Sequence, residues 1–396
     1  MLKALYIKSL YNLYSYDLNF ENTDTSTVKF ITGPNGYGKT TILEMINSLY
    51  RGEIKKFIEI PFSTIEFVFD TEKVIITQNR TVEEKKDSDE VNSSISLNIE
   101  LKRIEGDALI QGLTFESSEL KENNELIDVF KKTLSLYFSA KSCYLISDQR
   151  LSRKPMQIGE QEGNVTSVKN NAVRFKELLK QKELEITSTF NRKFAEYSLD
   201  VLSLSESKYE ANRVRIEESV KLLEKVGIMF PVELKENSKE AGIIQSLYLK
   251  AMNDTIDVFK NFIDMVEAFM RIMCRNKFAN KRFQVNKRYG YRFVADDELN
   301  SILDLDALSS GEKHMLIQTY ELLFEAEDGA LVLIDEPEMS FHLMWQIDYL
   351  KNIKKILGLR NIQCIVSTHS PQIFSRRWEL TVDLYEQANK QKTALA

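Results

Sequence analysis

The run Gly33-Pro34-Asn35-Gly36-Tyr37-Gly38-Lys39-Thr40 constrains this chain more than any other stretch. It fits the pattern Gly-x4-Gly-Lys-[Ser/Thr], and it lies between an apolar run, 28–32, and a helix-like run, 41–50. Glycines let the backbone turn its N–H groups inward as a nest for an anion. A helix that starts where the loop ends points its positive end at the same spot. Lys39 adds a full charge for β- and γ-phosphates, and the Thr40 hydroxyl is placed to ligate Mg2+. Gly33, Asn35, Gly36, Gly38, Lys39, Thr40 and Thr41 are therefore the expected nucleotide-binding residues, with ATP and Mg2+ as ligands. A strand–loop–helix unit of this kind demands an α/β fold with a parallel sheet.

A second apolar run, Ala330-Leu331-Val332-Leu333-Ile334, ends in Asp335 and Glu336. Such a run reads as a strand buried on both faces, and α/β sheets place ligands at the C-terminal ends of their strands. Asp335 is expected to hold Mg2+, directly or through water. Glu336 is expected to orient and deprotonate the attacking water. Further on, Ile365-Val366-Ser367-Thr368-His369 is another apolar strand that ends in a histidine. The chain has only three histidines, His314, His342 and His369, and all lie beside these motifs. The segment Leu308-Ser309-Ser310-Gly311-Glu312-Lys313 puts a hydroxyl and free backbone N–H groups at the start of a helix expected over 312–324, which makes a second anion site.

That segment resembles the Leu-Ser-Gly-Gly-Gln signature of ABC-type ATPases. Ser309 and Gly311 match it; Ser310 replaces the first glycine and Glu312 the glutamine, as in the SMC, RecF and OLD-like branches. The stretches 335–342 and 367–371 are similar to those of the bacterial OLD-like ATPases of phage-defence systems, such as PtuA of Septu and AriA of PARIS. The resemblance implies roles for several residues. His369 would be the switch histidine that reaches the γ-phosphate. The segment 338–342 would be the D-loop, which touches the opposite subunit. Gln149, after the apolar run 143–146, would be the sensor of γ-phosphate and Mg2+; Gln78 competes but sits mid-hairpin. Ser309 of one subunit would contact ATP held on the phosphate loop of another, so a homodimer or higher homo-oligomer is implied.

The same resemblance implies an ATPase that senses or regulates in an anti-phage system and controls a nuclease or toxin. In OLD nucleases a TOPRIM domain follows the switch histidine. The stretch after His369 is too short for one, so the effector is expected to be a separate chain. The alternative is a RecF-like or SMC-like repair ATPase that clamps DNA. A transporter subunit fits the early strands and the helical middle poorly.

The 396 residues suffice for two or three domain-sized units. The expected fold is an ABC-type P-loop ATPase head, a mixed sheet with flanking helices and an antiparallel β-subdomain, with an inserted α-helical hairpin or bundle. The head is expected over 1–165 and 280–396, and the insertion over 166–279. Strands are expected over 2–7 and 14–20, then a meander of 64–69, 74–77 and 95–101 with a charged tip at 85–91. In the middle, Ile244, Tyr248, Ala251, Thr255, Val258, Phe262, Met265, Phe269 and Ile272 recur at steps of four and three, the seam of packed helices.

The net charge of −6 argues against a globally basic nucleic-acid binder, so any DNA or RNA contact must be local. Arg271 to Ala295 carries eight basic residues and no acidic one, among them Arg275, Lys281, Lys287 and Arg288, interleaved with aromatic residues. That stretch is a candidate contact for a phosphate backbone or an acidic partner. Cys143, Cys274 and Cys364 are too dispersed for a zinc site or a disulfide framework. No apolar stretch approaches a membrane span and no secretory pattern opens the chain, so the cytoplasm is the expected compartment.

Overall fold

The computed structural model describes residues 1–21, 28–84, 91–116, 142–146, 167–199, 213–229, 239–275, 278 and 280–395. The chain divides into two compact units, 1–148 with 325–396, and 149–324.

The first unit holds two sheets. Strands β1 (Ala4–Leu10) and β2 (Tyr14–Asn19) form a hairpin, and β3 (Val28–Thr32) leads into the glycine loop. Strands β4 (Thr64–Val68), β5 (Glu72–Glu84), β6 (Val91–Arg103) and β7 (Leu109–Glu116) follow. The antiparallel sheet runs β2-β1-β4-β5-β6-β7. Alternation explains its buried face: Ile65 and Phe67 are fully covered while Thr64, Glu66 and Val68 are only half-buried. The meander is longer than expected, because β5 and β6 pair over 13 residues and β7 adds a further strand. Of the expected charged tip, 85–90 lies outside the described residues.

The second sheet is wholly parallel. Strands β8 (Cys143–Ile146), β12 (Leu331–Asp335), β13 (Gln363–Thr368) and β14 (Thr381–Asp383) join β3 in the order β14-β3-β13-β12-β8. Helix α1 (Lys39–Arg51) covers it with Ile42, Leu43, Met45, Ile46 and Leu49, packed with Leu333 and Ile365 in one core. Full burial of each such side chain stabilises by about 1.5–3 kcal/mol. A short α2 (Ile54–Glu59) follows, and α7 (Leu343–Leu357) and α8 (Leu384–Leu395) complete the unit; α8 packs on β2 and β3.

The second unit holds α3 (Ser167–Leu199), α4 (Arg213–Lys225), α5 (Lys239–Arg275), a sheet of β9 (Lys281–Asn286), β10 (Gly290–Ala295) and β11 (Ile302–Leu303), and α6 (Ser310–Tyr320). Helix α5 spans 37 residues, about 55 Å, and packs on α3 and α4. The expected seam lies on it. Tyr248, Ala251, Thr255, Phe262, Met265, Phe269 and Ile272 are buried, whereas Val258 is exposed. Phe175, Phe269, Tyr291 and Tyr320 meet at the centre, Phe269 edge to face with the other three, with Phe175 and Phe269 centroids 5.4 Å apart. Gly290 has φ 75°, and a Cβ there would stand 2.0 Å from the Ala172 carbonyl oxygen; only glycine lets this hairpin close on α3. No described helix is long and apolar enough to cross a membrane.

Candidate nucleotide site

The topology of the parallel sheet assembles the site. Strand β13 lies between β3 and β12, with Thr368 opposite Thr32 and Ser367 opposite Asp335. The C-terminal ends of all three strands therefore meet at one level, and each carries one of the motifs read from the sequence. Gly33, Gly36 and Gly38 have φ of 146°, 87° and 85°, the left-handed backbone that a phosphate nest requires. Gly38 is also the N-cap of α1, and a Cβ there would sit 3.1 Å from Leu10 Cδ2. Tyr37 anchors the loop between Tyr14 (centroids 5.2 Å) and Tyr385 (5.6 Å), and the Tyr16 hydroxyl donates to its carbonyl at 2.8 Å. At the start of α1, Tyr11 and Thr41 hydroxyls share a hydrogen bond of 3.0 Å.

Lys39 is 4% exposed. Its Nζ donates to the carbonyl oxygens of Gly33 (3.0 Å) and Pro34 (3.3 Å) and to Asn35 Oδ1 (3.4 Å), and stands 3.5 Å from Glu336 Oε1. The charge is thus fixed at the mouth of the nest. Thr40 Oγ1 donates to Asp335 Oδ1 at 3.2 Å, and Ser367 Oγ donates to the same oxygen. Burial raises the Asp335 pKa. The Ser367 and Thr40 hydrogen bonds oppose it, the Glu336 charge adds to it and Lys39 offsets it, with a net rise. Glu336 adopts φ 42°, ψ 58°, rare for a residue with a side chain, and its N–H donates to the Ser367 carbonyl at 3.1 Å and to Ser367 Oγ at 3.2 Å.

Among the described residues no group of three or more His, Cys, Asp or Glu side chains forms a metal cage. One threonine hydroxyl beside one aspartate is the partial oxygen set that suits Mg2+, which keeps several waters and is completed by substrate phosphates. Thr40 and Asp335 fit that ion.

His369 follows β13, half-exposed. Its Nδ1 lies 3.0 Å from Glu338 Oε1 and 3.9 Å from Glu336 Oε1. Glu338 belongs to the 3-10 turn Pro337–Ser340, the segment matched to the D-loop, yet its own side chain is 2% exposed and faces inward. Met339, Leu343 and Met344 are exposed apolar residues of that region, and His342 is exposed beside them.

In the second unit, Ser309 caps α6. Its Oγ accepts the Glu312 N–H at 3.3 Å, and Glu312 Oε2 accepts the Ser309 N–H at 2.8 Å, a reciprocal capping box. Lys281 Nζ reaches both Glu312 oxygens, at 2.7 and 2.8 Å. Burial pushes the Glu312 carboxyl upward, but the bonds from Lys281 and Ser309 outweigh it and the net shift is downward. Gly311 is buried in the first turn of the helix.

Of the four basic candidates, Lys281 pairs with Glu312 and Lys287 with Glu183, while Arg275 and Arg288 are exposed. Gln149 lies outside the described residues. Gln78 is a buried bridge, with Nε2 donating to the Phe57 carbonyl at 2.8 Å and Oε1 accepting the Phe62 N–H at 3.2 Å. Sequence reasoning missed Ser367 and Glu338. Two hydroxyl residues, Ser367 and Thr368, directly after the apolar run Cys364–Val366 were the available signal for the first.

A nest of backbone N–H groups with its own buried lysine, wired to the acidic end of a nearby parallel strand, is the apparatus of a P-loop nucleoside triphosphatase. The AAA ATPase domain family (AAA_15) matches residues 1–374, and the chain belongs to it. Solved structures similar to the chain include the Smc head domain of Pyrococcus furiosus with an extended coiled coil, bound to the C-terminal domain of ScpA. That match has 14% identity, 100% of this chain and 99% of the other covered, and a TM-score of 0.42. An SmcHead bound to the C-winged helix domain of ScpA has 13% identity, 94% and 91% coverage and a TM-score of 0.37. The SMC head domain from Thermotoga maritima has 13% identity, the same coverage and a TM-score of 0.35. What those proteins bind is a property of those proteins. No curated protein shows a significant match.

Proposed function

We propose that this chain hydrolyses ATP to ADP and phosphate with Mg2+, in a pair or larger assembly of copies, and acts as the sensing or regulatory ATPase of an anti-phage system with a separate nuclease or toxin. The observation that carries the ATPase reading is the convergence of Lys39, Thr40, Asp335 and Glu336 at the ends of β3 and β12, the two parallel strands that flank β13.

The residues divide the work. The loop N–H groups and Lys39 hold the β- and γ-phosphates, and Thr40 and Asp335 hold Mg2+, which when bound neutralises charge developing on the phosphate oxygens. Glu336 accepts the proton of the attacking water, and its strained backbone aims the carboxylate at the loop mouth beside Lys39. His369 contacts the γ-phosphate from the next strand. Catalysis is positioning and electrostatics, with no covalent step on the protein. Ser309 and the first N–H groups of α6 serve the nucleotide of a second copy.

The defence role is supported by the similarity of 335–342 and 367–371 to OLD-like defence ATPases. A DNA-clamping role of the RecF or SMC kind is favoured by the exposure of Arg275 and Arg288. Phosphate release by the purified chain tests the shared core: the wild type turns over, Lys39→Ala and Glu336→Gln do not, and equal turnover by either variant overturns its assigned role. Tight ATP-dependent duplex binding by the chain alone selects the clamp; co-purification with a nuclease or toxin selects the regulator.

A further inference from the structure

We infer that Glu338 is the positioning residue for His369: it fixes which ring nitrogen faces the substrate. This rests on the reading of His369 as the γ-phosphate contact and adds to it a partner that neither the family match nor the motif supplies.

Two hydrogen bonds and one ion-pair contact converge on Glu338 Oε1. Thr368 Oγ1 and the His369 N–H each stand at 2.7 Å, and His369 Nδ1 at 3.0 Å. An ionised carboxylate only accepts hydrogen bonds, so its approach to 3.0 Å favours the ring form that carries a proton on Nδ1. Nε2 is then the nitrogen left to meet a phosphate oxygen. The other carboxylate oxygen, Oε2, is buried with no hydrogen-bond partner among the described residues. A buried acid with one unpaired oxygen costs stability, and the bonds from Thr368 Oγ1 and the His369 N–H offset that cost only in part. Those two bonds anchor the carboxylate, and the anchored carboxylate stands against the imidazole. A carboxylate behind a working histidine sets its tautomer and orientation.

Histidine spectroscopy tests this without relying on turnover. In the full chain labelled with 15N-histidine, three imidazoles are resolved and assigned by His342→Gln and His369→Gln substitutions. At a pH where the rings are neutral, long-range proton–nitrogen correlations are expected to show His369 as the Nδ1–H tautomer. An Nε2–H tautomer in the wild type overturns the proposal, whatever the chain does with ATP. Kinetics give the second arm. Glu338→Gln is expected to lower kcat by roughly tenfold to a hundredfold, the loss found when the hydrogen-bond partner of a metal-bound imidazole is removed, with the KM for ATP unchanged. Combined with His369→Gln it is expected to fall no lower than the worse single variant, within about twofold. Losses that multiply would mean that Glu338 acts independently of His369. Absence of turnover in the wild type would refute the ATPase reading and leave the tautomer result standing.

Discussion

Thr40 Oγ1 and Asp335 Oδ1 are joined by a hydrogen bond of 3.2 Å across 295 residues of sequence. The bond ties the start of α1 to the end of β12, and so connects the phosphate nest to the acid at the strand end. Because burial, and then the neighbouring Glu336 charge, lift the Asp335 pKa, the ionised form is costly in the folded chain.

The sign of that cost gives the first expectation. A carboxyl whose folded pKa is raised loses stability as pH climbs from the ordinary carboxylate range through its raised folded value, and the penalty persists at neutral pH. Asp335→Asn keeps an acceptor for both hydroxyls and removes the charge. It should raise the melting temperature of the nucleotide-free protein at pH 7, and the gain should vanish in acid. Mg2+-dependent turnover should fall at least about a hundredfold, as when a preorganised electrostatic group is lost. Differential scanning fluorimetry across pH, with phosphate release, checks both halves.

Lys39 stands against Glu336 and two loop carbonyls inside the nest. Lys39→Ala should weaken ATP binding by about 2–5 kcal/mol, the usual loss when one member of a buried charged pair is truncated. Isothermal titration calorimetry measures it. Unchanged affinity would remove Lys39 from phosphate binding.

The capping box of α6 contains a charge, Glu312, where the Leu-Ser-Gly-Gly-Gln signature has a glutamine. Lys281 neutralises Glu312, and Glu312 holds the Ser309 N–H. Lys281→Ala should destabilise the second unit by about 1–3 kcal/mol, the range for a hydrogen bond to a charged group and a stranded partner. The Glu312 pKa is depressed in the folded state, so its contribution is present above the ordinary glutamate range and lost as pH falls through the folded value. The gap between wild-type and variant melting temperatures should therefore close in acid. A gap that stays constant with pH would assign the loss to packing.

The parts of the site carried by local patterns could be read directly from the chain. The glycine loop, the strands ending at Asp335 and Thr368, and the α6 cap all follow from strand apolarity, glycine spacing and capping chemistry. Strand β14 could not be read: three residues, Thr381–Asp383, pair with β3 only because the sheet is already there to receive them. Strand β7 was hidden for a similar reason, since its residues alternate weakly and its pairing partner β6 supplies the order. The resemblance puts Glu338 in a segment that touches another subunit. The 3-10 turn after Pro337 rotates it inward while Met339 stays outside, a distinction that spacing alone does not encode. The basic stretch read as one patch because charge was counted without the carboxylates of α3 and α6 that meet Lys287 and Lys281.

The central claim is that one copy completes the nucleotide pocket of another. Sedimentation velocity of Glu336→Gln, with and without saturating ATP and Mg2+, tests it most directly. The expected result is a species of twice the single-chain mass, or a higher multiple, that appears only with nucleotide and is lost when Ser309→Arg is added. A variant that binds ATP and still sediments as a single chain at saturation would contradict it.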